Sequence, residues 1–270
     1  MKISPVCSFA EYRNVIRNKK LVNNIFLPNE VKKYISQKRL FYFTTGNQLF
    51  LLYDEVDYYQ LVCGIMEGND PGSFIDFELT KPIVCHIVVN NKSSVNPVVI
   101  KTLQDSGFCL RCKIHEHIRE SLAELPVVSG EVCMTCNEIK DSSECQNILS
   151  LWREHLPLYE VIYMLPEDIQ ALSDKKQVLF LKDLVTGKIA GACYYDIFLG
   201  ITTIHHIVVD SCFRGKGYAG ILLSAWLEQA KLCGAKVARS WIEDTNISSQ
   251  KSFAKMGFNK TENVSYQFVK

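Results

Sequence analysis

The sequence predicts a mixed α/β fold, a mixed sheet with helices, repeated in two tandem halves. Three observations carry this. Short apolar runs of strand length are interleaved with longer segments whose apolar residues recur at helical spacing. A polar, glycine-containing loop, Asp210 to Gly217, joins one such strand to the clearest amphipathic helix. The two halves also end alike: Asn96 stands 11 positions before Gly107-Phe108, and Asn246 stands 11 positions before Gly257-Phe258.

At 270 residues the chain accommodates one large domain or two ordinary ones. Apolar residues at 47% against charged residues at 22% are the proportions of a globular chain and exclude wholesale disorder. Thirty basic and 29 acidic residues leave a net charge of +1, so no nucleic-acid partner is expected. No apolar run reaches about 18 residues, so no membrane span is expected either. The segment MKISPVCSFAEYRN lacks the apolar core of a secretory signal. A cytoplasmic, reducing location is therefore expected, in which 11 irregularly spaced cysteines read as buried thiols and not as a disulfide framework.

A Pro-, Ser- and Gly-containing stretch, Ala123 to Gly130, is the best linker and divides the chain into residues 1–125 and 126–270. Beyond it, Glu131 to Ile139 alternates like a strand. Glu144 to His155 reads as a helix with Ile148, Leu149 and Trp152 on one side, and Glu167 to Leu172 as a second. Gln177 to Leu181, Ile189 to Phe198 and Ile201 to Val209 are successive strands, the last two joined by Leu199-Gly200 as a hairpin. After the loop, Ala219, Leu222, Leu223, Trp226, Leu227 and Ala230 form one helical stripe, which Gly234 stops. Lys236 to Ile242 is a strand, Asn246 to Met256 a helix and Ser265 to Val269 a last strand.

The first half repeats part of this order. A helix is expected at Phe9 to Arg17, with strands at Leu40 to Thr44, Gln48 to Tyr53, Tyr58 to Met66 and Pro82 to Val89. A helix follows at Pro97 to Asp105, capped by Asn96 with Pro97 in its first position. Between Met66 and Pro82 only 15 residues intervene, with no Arg-x-x-Gly loop and no amphipathic helix. The first half therefore reads as a degenerate copy without the ligand loop, and the chemistry is placed in the second.

The segment from His205 to Gly220 carries that chemistry. A strand feeding a glycine turn at a helix start gathers free N–H groups and the positive end of the helix dipole, which is an anion site. Gly215 and Gly217 allow positive φ and close ligand approach, and Arg214 and Lys216 add charge. A phosphate or pyrophosphate is the natural occupant. Gly215-x-Gly217-x-x-Gly220 also matches a dinucleotide fingerprint, with Glu243 where a ribose-binding acid would stand. Against that alternative, Asp210 to Arg214 separate the strand from the first glycine, and only 27 residues follow Glu243.

Arg214-x-x-Gly217-x-Ala219 resembles the Arg/Gln-x-x-Gly-x-Gly/Ala signature of the GNAT family of N-acetyltransferases. Residues 131–270 reproduce the family's element order, and Asn246, Phe253 and Gly257-Phe258 resemble its late Asn-x(6)-Tyr-x(3)-Gly-Phe element. The resemblance implies a GNAT-like acyl-CoA N-acyltransferase fold and acetyl-CoA as cosubstrate. It implies that Arg214, Gly215, Lys216, Gly217, Tyr218 and Ala219 hold the CoA pyrophosphate through their amides. Val208 and Val209 would pair with the pantetheine as an added strand does, with a main-chain N–H near Val209 polarising the thioester carbonyl. Asn246 would hydrogen-bond the pantetheine or serve only as a helix cap. The acceptor would be a small-molecule or peptide amine.

His205 and His206 are the candidate proton acceptors, because imidazole titrates near neutral pH. Strand alternation predicts that they face opposite ways, so that at most one points into a cleft. Glu243 is a further candidate. Phe253 departs from the family pattern, which places a Tyr there as acid for the leaving thiolate; Tyr266 is the substitute within the chain, and a CoA-binding protein without turnover is the alternative function. Cys109-x-x-Cys112 and Cys133-x-x-Cys136 have the spacing of a zinc ribbon, but both pairs fall in expected strands, where positions i and i+3 face opposite sides. No metal is expected.

Overall fold

The computed structural model describes residues 3–17, 20–21, 28–45, 48–55, 57–65, 79–89, 97–126, 128, 133–136, 138–160 and 163–270. In chain order its elements are β1 (Ser4–Pro5), α1 (Phe9–Val15), β2 (Lys20–Leu21), α2 (Pro28–Ser36), β3 (Leu40–Thr45), β4 (Gln48–Asp54), β5 (Tyr59–Ile65), β6 (Ile83–Val89), α3 (Pro97–Asp105) and β7 (Cys109–Arg119). They continue with β8 (Cys133–Cys136), α4 (Ser142–His155), α5 (Pro166–Asp174), β9 (Val178–Asp183), β10 (Ile189–Phe198), β11 (Ile201–Val209), α6 (Tyr218–Leu232), β12 (Val237–Glu243), α7 (Ile247–Lys255) and β13 (Asn259–Val269). Among the described residues the expected elements are present, with α3, β10 and β11 at their expected limits; Asn96, the expected cap of α3, and Met66 and Glu131, expected strand ends, lie outside those residues. Helix α2 was not expected. Val31 and Tyr34 are buried and Ile35 packs against the same core, an i, i+3, i+4 face that is present in the sequence but was not read as a helix.

The chain separates into two compact units, Met1–Ile114 with Glu262–Lys270, and His115–Thr261. The expected division after residue 125 falls inside the second of these units. Strand β7 continues past Ile114, so the change of unit falls inside a strand and leaves no compositional mark. The described part of the expected linker packs on the second unit. Leu125 and Val128 pack against that unit's core, Lys231 Nζ donates to Ala123 O at 2.6 Å, and Ser224 Oγ donates to Pro126 O at 3.2 Å.

In the first unit the strand order is β1-β3-β4-β5-β6-β13. Strands β3, β4 and β5 form an antiparallel meander, and β5 and β6 run parallel from Tyr59↔Ile83 to Leu61↔Cys85. Alternation along β4 fills two layers. Leu49, Leu51 and Tyr53 pack with Tyr12, Val31 and Tyr34 of α1 and α2, while Phe50 and Leu52 pack with Val99 and Leu103 of α3. Strand β13 closes this sheet against β6, Val264↔Val89 through Val269↔Val84.

The second unit orders its strands β8-β9-β10-β11-β12-β7. The first four are antiparallel neighbours, and β11 and β12 are parallel. Trp152, Ile148 and Ile169 of α4 and α5 cover one face of the sheet with Ala192 and Val208; Leu222, Trp226, Phe253 and Phe258 cover the other with Cys193, Tyr195 and Ile204. A sheet in which β10 and β11 run antiparallel is not doubly wound, which removes the dinucleotide alternative; Gly220 lies within the first turn of α6.

Candidate functional site

The site of the second unit begins where two parallel strands part. The β11–β12 ladder runs from Ile201↔Val237 to Thr203↔Arg239, while β11 continues to Val209 and β12 to Glu243. Six residues of β11 lie beyond the last rung, about 20 Å at roughly 3.3 Å per residue. On its other side β11 stays paired with β10 up to Gly191↔Val209. The edge facing the fork is thus a strand edge open to an extended ligand.

At the mouth of the fork, Asp210 caps a 3₁₀ turn, Ser211–Phe213, accepting from Cys212 N at 2.8 Å. Burial would raise the Asp210 carboxyl, but the Cys212 N–H and the neighbouring His155, whose Nε2 lies 3.6 Å from Oδ2, hold it below its ordinary value. Arg214 Nε then donates to Val209 O at 3.1 Å, folding the loop back over the strand end. Gly215 (φ 77°) and Gly217 (φ 81°) adopt the left-handed conformation that glycine allows. Gly217 caps α6 with no side chain, and a Cβ on either glycine would meet nothing within 4 Å. Arg214, Gly215, Lys216 and Gly217 are exposed, whereas Tyr218 is buried, stacked on Phe213, and donates to Asp183 Oδ2 at 3.4 Å. Of the six expected loop residues, five remain at or near the surface and Tyr218 anchors the helix start.

The histidines depart from the alternation expected of them. Tyr194↔His205 and Ala192↔Val208 are both partners, so β11 carries one residue more than β10 between these rungs, a β-bulge. His206, at φ 47°, takes up the irregularity. In consequence Ile204 and Ile207 both pack toward the α6 layer, and His205 and His206 both reach Tyr194 on the α4 side. His205 stacks on the Tyr194 ring at 4.9 Å and places Nε2 3.1 Å from Asp196 Oδ2. His206 meets Tyr194 and Trp152 edge-on at 5.2 and 5.6 Å. Its Nε2 is buried without a hydrogen-bond partner, and burial, reinforced by His205, pushes its imidazole down to about 3.

The remaining candidates spread out. Val208 sits in the α4-side core, and Val209 packs toward α6. Asn246 caps α7, its Oδ1 accepting from Ser249 N at 3.0 Å, which is the capping role weighed from sequence. Glu243 ends β12, where its backbone carbonyl accepts from Asn246 N at 3.0 Å and from Gln250 Nε2 at 3.2 Å. Phe253 is core, edge-on to Trp226 and Phe258. Tyr266 belongs to the first unit and packs against that unit's core. Cys109-x-x-Cys112 and Cys133-x-x-Cys136 lie in β7 and β8, on strands as expected.

Sequence reasoning missed Tyr194, Asp196 and Gly191. The first two were available: counting back from the Leu199-Gly200 turn pairs Tyr194 with His205 and Asp196 with Thr203. Gly191, a lone glycine inside a strand, marked a close approach. A Cβ there would stand 2.8 Å from Val208 O.

Residues 145–258 match the profile of the Acetyltransferase (GNAT) family. None of the curated proteins compared matches the sequence significantly. Among solved structures, a tandem GNAT protein from the clavulanic acid biosynthesis pathway is similar over 100% of this chain and 98% of its own, with a TM-score of 0.61 at 11% identity. An acetyltransferase of the GNAT family from Colwellia psychrerythraea is similar over 100% and 99%, with a TM-score of 0.56 at 13% identity. A GCN5-related N-acetyltransferase from Sphaerobacter thermophilus is similar over 90% and 85%, with a TM-score of 0.58 at 11% identity. At these identities the likenesses show the fold.

Proposed function

We propose that this chain, whose second half is a GNAT-family domain, moves an acetyl group from acetyl-CoA to a primary amine. The observation that carries the reading is the fork between β11 and β12 with the glycine loop at its mouth. In this reading the amides from Arg214 to Ala219 receive the pyrophosphate, and the open space at Gly215 and Gly217 admits it. The fork edge at Val208 and Val209 pairs with the pantetheine, and a main-chain N–H farther in along the fork faces the thioester oxygen as charge develops there. Asn246 would have to give up part of its capping role to reach the ligand.

The chemistry asks little more of the protein. The amine nitrogen forms a bond to the thioester carbon, the C–S bond breaks with its electron pair leaving on sulfur, and the amine loses a proton to a base. Placing the amine at the fork supplies proximity, and a main-chain amide of the β11 edge supplies the oxyanion donor. Phe253 cannot protonate the departing thiolate, so that proton comes from another group or from solvent. The acceptor is a small-molecule or peptide amine. A reducing, cytoplasmic setting belongs to the same proposal and suits the buried thiols of Cys145 and Cys193. Among the described residues no helix is long and apolar enough to cross a membrane.

Calorimetric titration with acetyl-CoA tests the reading, beside the double variant Arg214→Ala/Gly217→Asp. Micromolar binding that is lost in the variant supports it, and a wild-type protein that does not bind overturns it. The burial of Phe253 favours one second reading, a CoA-binding module without turnover. Binding with no product across a broad amine panel would select that alternative.

A further inference from the structure

Resting on the acyl-transfer reading, we propose that His205 takes the amine proton on Nδ1 and that Asp196 positions it by accepting a hydrogen bond from Nε2–H. The placement comes from strand register. Thr203, the last rung before the fork, is the Cα partner of Asp196 on β10 and of Arg239 on β12. His205 stands two residues beyond that rung, about 7 Å into the fork, where the acyl end of an extended ligand would arrive. Glu243, a carboxylate on β12, lies four residues past the rung and so nearer the mouth.

Two contacts fix the His205 ring. Stacking on Tyr194, at 4.9 Å with 22° between planes, sets its plane, and the 3.1 Å contact from Nε2 to Asp196 Oδ2 sets its rotation. A carboxylate only accepts, so Nε2 carries the hydrogen and Nδ1 the lone pair. The bulge at His206 is what turns both imidazoles to the α4 side, but only one of them suits the task. His206 keeps Nε2 buried, and burial holds that ring neutral far below physiological pH. His205 is about one-third exposed, open to solvent and substrate.

The step balances. As the amine lone pair forms the N–C bond and the C–S pair departs on sulfur, the N–H proton passes to Nδ1. The Nε2 hydrogen stays on His205, against Asp196, throughout. The imidazolium later returns its proton to solvent or to the thiolate. Asp196 touches neither substrate nor reacting atoms and is a positioning residue.

Charged and titratable neighbours of His205 are Asp196 and Tyr194 on β10, His206 on β11 and, one rung away, Arg239 on β12, whose Nε and Nη2 each lie 3.2 Å from Thr203 Oγ1. The test uses the full chain. Imidazole ¹⁵N spectra are expected to show His205 as the Nε2–H tautomer. In Asp196→Asn the acid limb of kcat/KM should shift, because the carboxylate that holds the ring is removed, and Asp196→Glu should restore the limb. His205→Gln should lower kcat by about a hundredfold or more with acetyl-CoA affinity unchanged. An Nδ1–H tautomer, an acid limb that stays in place in Asp196→Asn, or a His205→Gln kcat within about threefold of wild type overturns the assignment. Failure of wild-type protein to bind acetyl-CoA overturns the acyl-transfer reading and the assignment with it; any of the other results with binding intact overturns the assignment alone.

Discussion

His206 and His86 are each held neutral by burial, and the consequence is a pH dependence of stability. Burial pushes His206 to about 3 and His86, beside Arg111, to about 4. In the first unit His86 Nδ1 lies 3.3 Å from Ser265 Oγ and Nε2 lies 3.2 Å from Gln267 Nε2, and Arg111 Nη1 donates to Gln267 Oε1 at 2.6 Å. Both folded-state values lie below the unfolded value near 6.5, so the unfolded chain binds more protons over that interval. The stability tied to neutral imidazole is therefore present above about pH 6.5 and is lost as pH falls toward 4 and 3, at up to about 1.4 kcal/mol per pH unit for each group. The urea midpoint is expected to drop between pH 7 and pH 5. His206→Asn, which tolerates the left-handed backbone but does not titrate, should flatten the drop for the second unit. An unchanged slope in the variant would show that His206 titrates normally.

The elements around the fork translate sequence patterns into geometry with unequal fidelity. Helix α6 was legible because its stripe is long, and the β10–β11 hairpin because a two-residue turn sets its register. The bulge was not legible, because period-2 reasoning assumes the ladder it is used to find; only the positive φ of His206 and the register shift disclose it. Gly191 stands on that same segment. Giving it a Cβ would press on Val208 O at 2.8 Å and Leu222 Cδ1 at 3.2 Å. Gly191→Ala is expected to cost about 1 to 3 kcal/mol in urea unfolding and, by displacing β11, to weaken acetyl-CoA binding as well. Gly217→Ala separates the same two effects differently. Its Cβ meets no protein atom, so only the left-handed backbone penalty of about 1 kcal/mol falls on stability. A loss of acetyl-CoA affinity well beyond tenfold would then report contact with the ligand. Equal small losses in both measurements would argue that the loop binds nothing closely.

Across the whole molecule the chain order and the structural units do not coincide, and this limits what can be cut. A linker reading by composition separates residues 1–125 from 126–270. The second unit, however, begins at His115, and Glu262–Lys270 belong with the first. A fragment of residues 126–270 would lose Leu122 from its core. It would also lose Glu116, whose Oε2 accepts from Thr261 Oγ1 at 3.0 Å, and Arg119, whose Nη1 donates to Met256 O at the Gly257 turn. Its β13 would lose β6, and Phe268, 1% exposed in the first unit's core, would be left bare. Burying a Phe side chain contributes about 1.5 to 3 kcal/mol, which is a sizeable part of a domain's net stability. The fragment is expected to show no cooperative thermal unfolding by circular dichroism. Removing only residues 262–270 should instead spare the second unit and erase amide-exchange protection in β6. If the 126–270 fragment unfolds cooperatively and binds acetyl-CoA as the full chain does, residues 115–125 are not needed for the second unit's fold or for its binding.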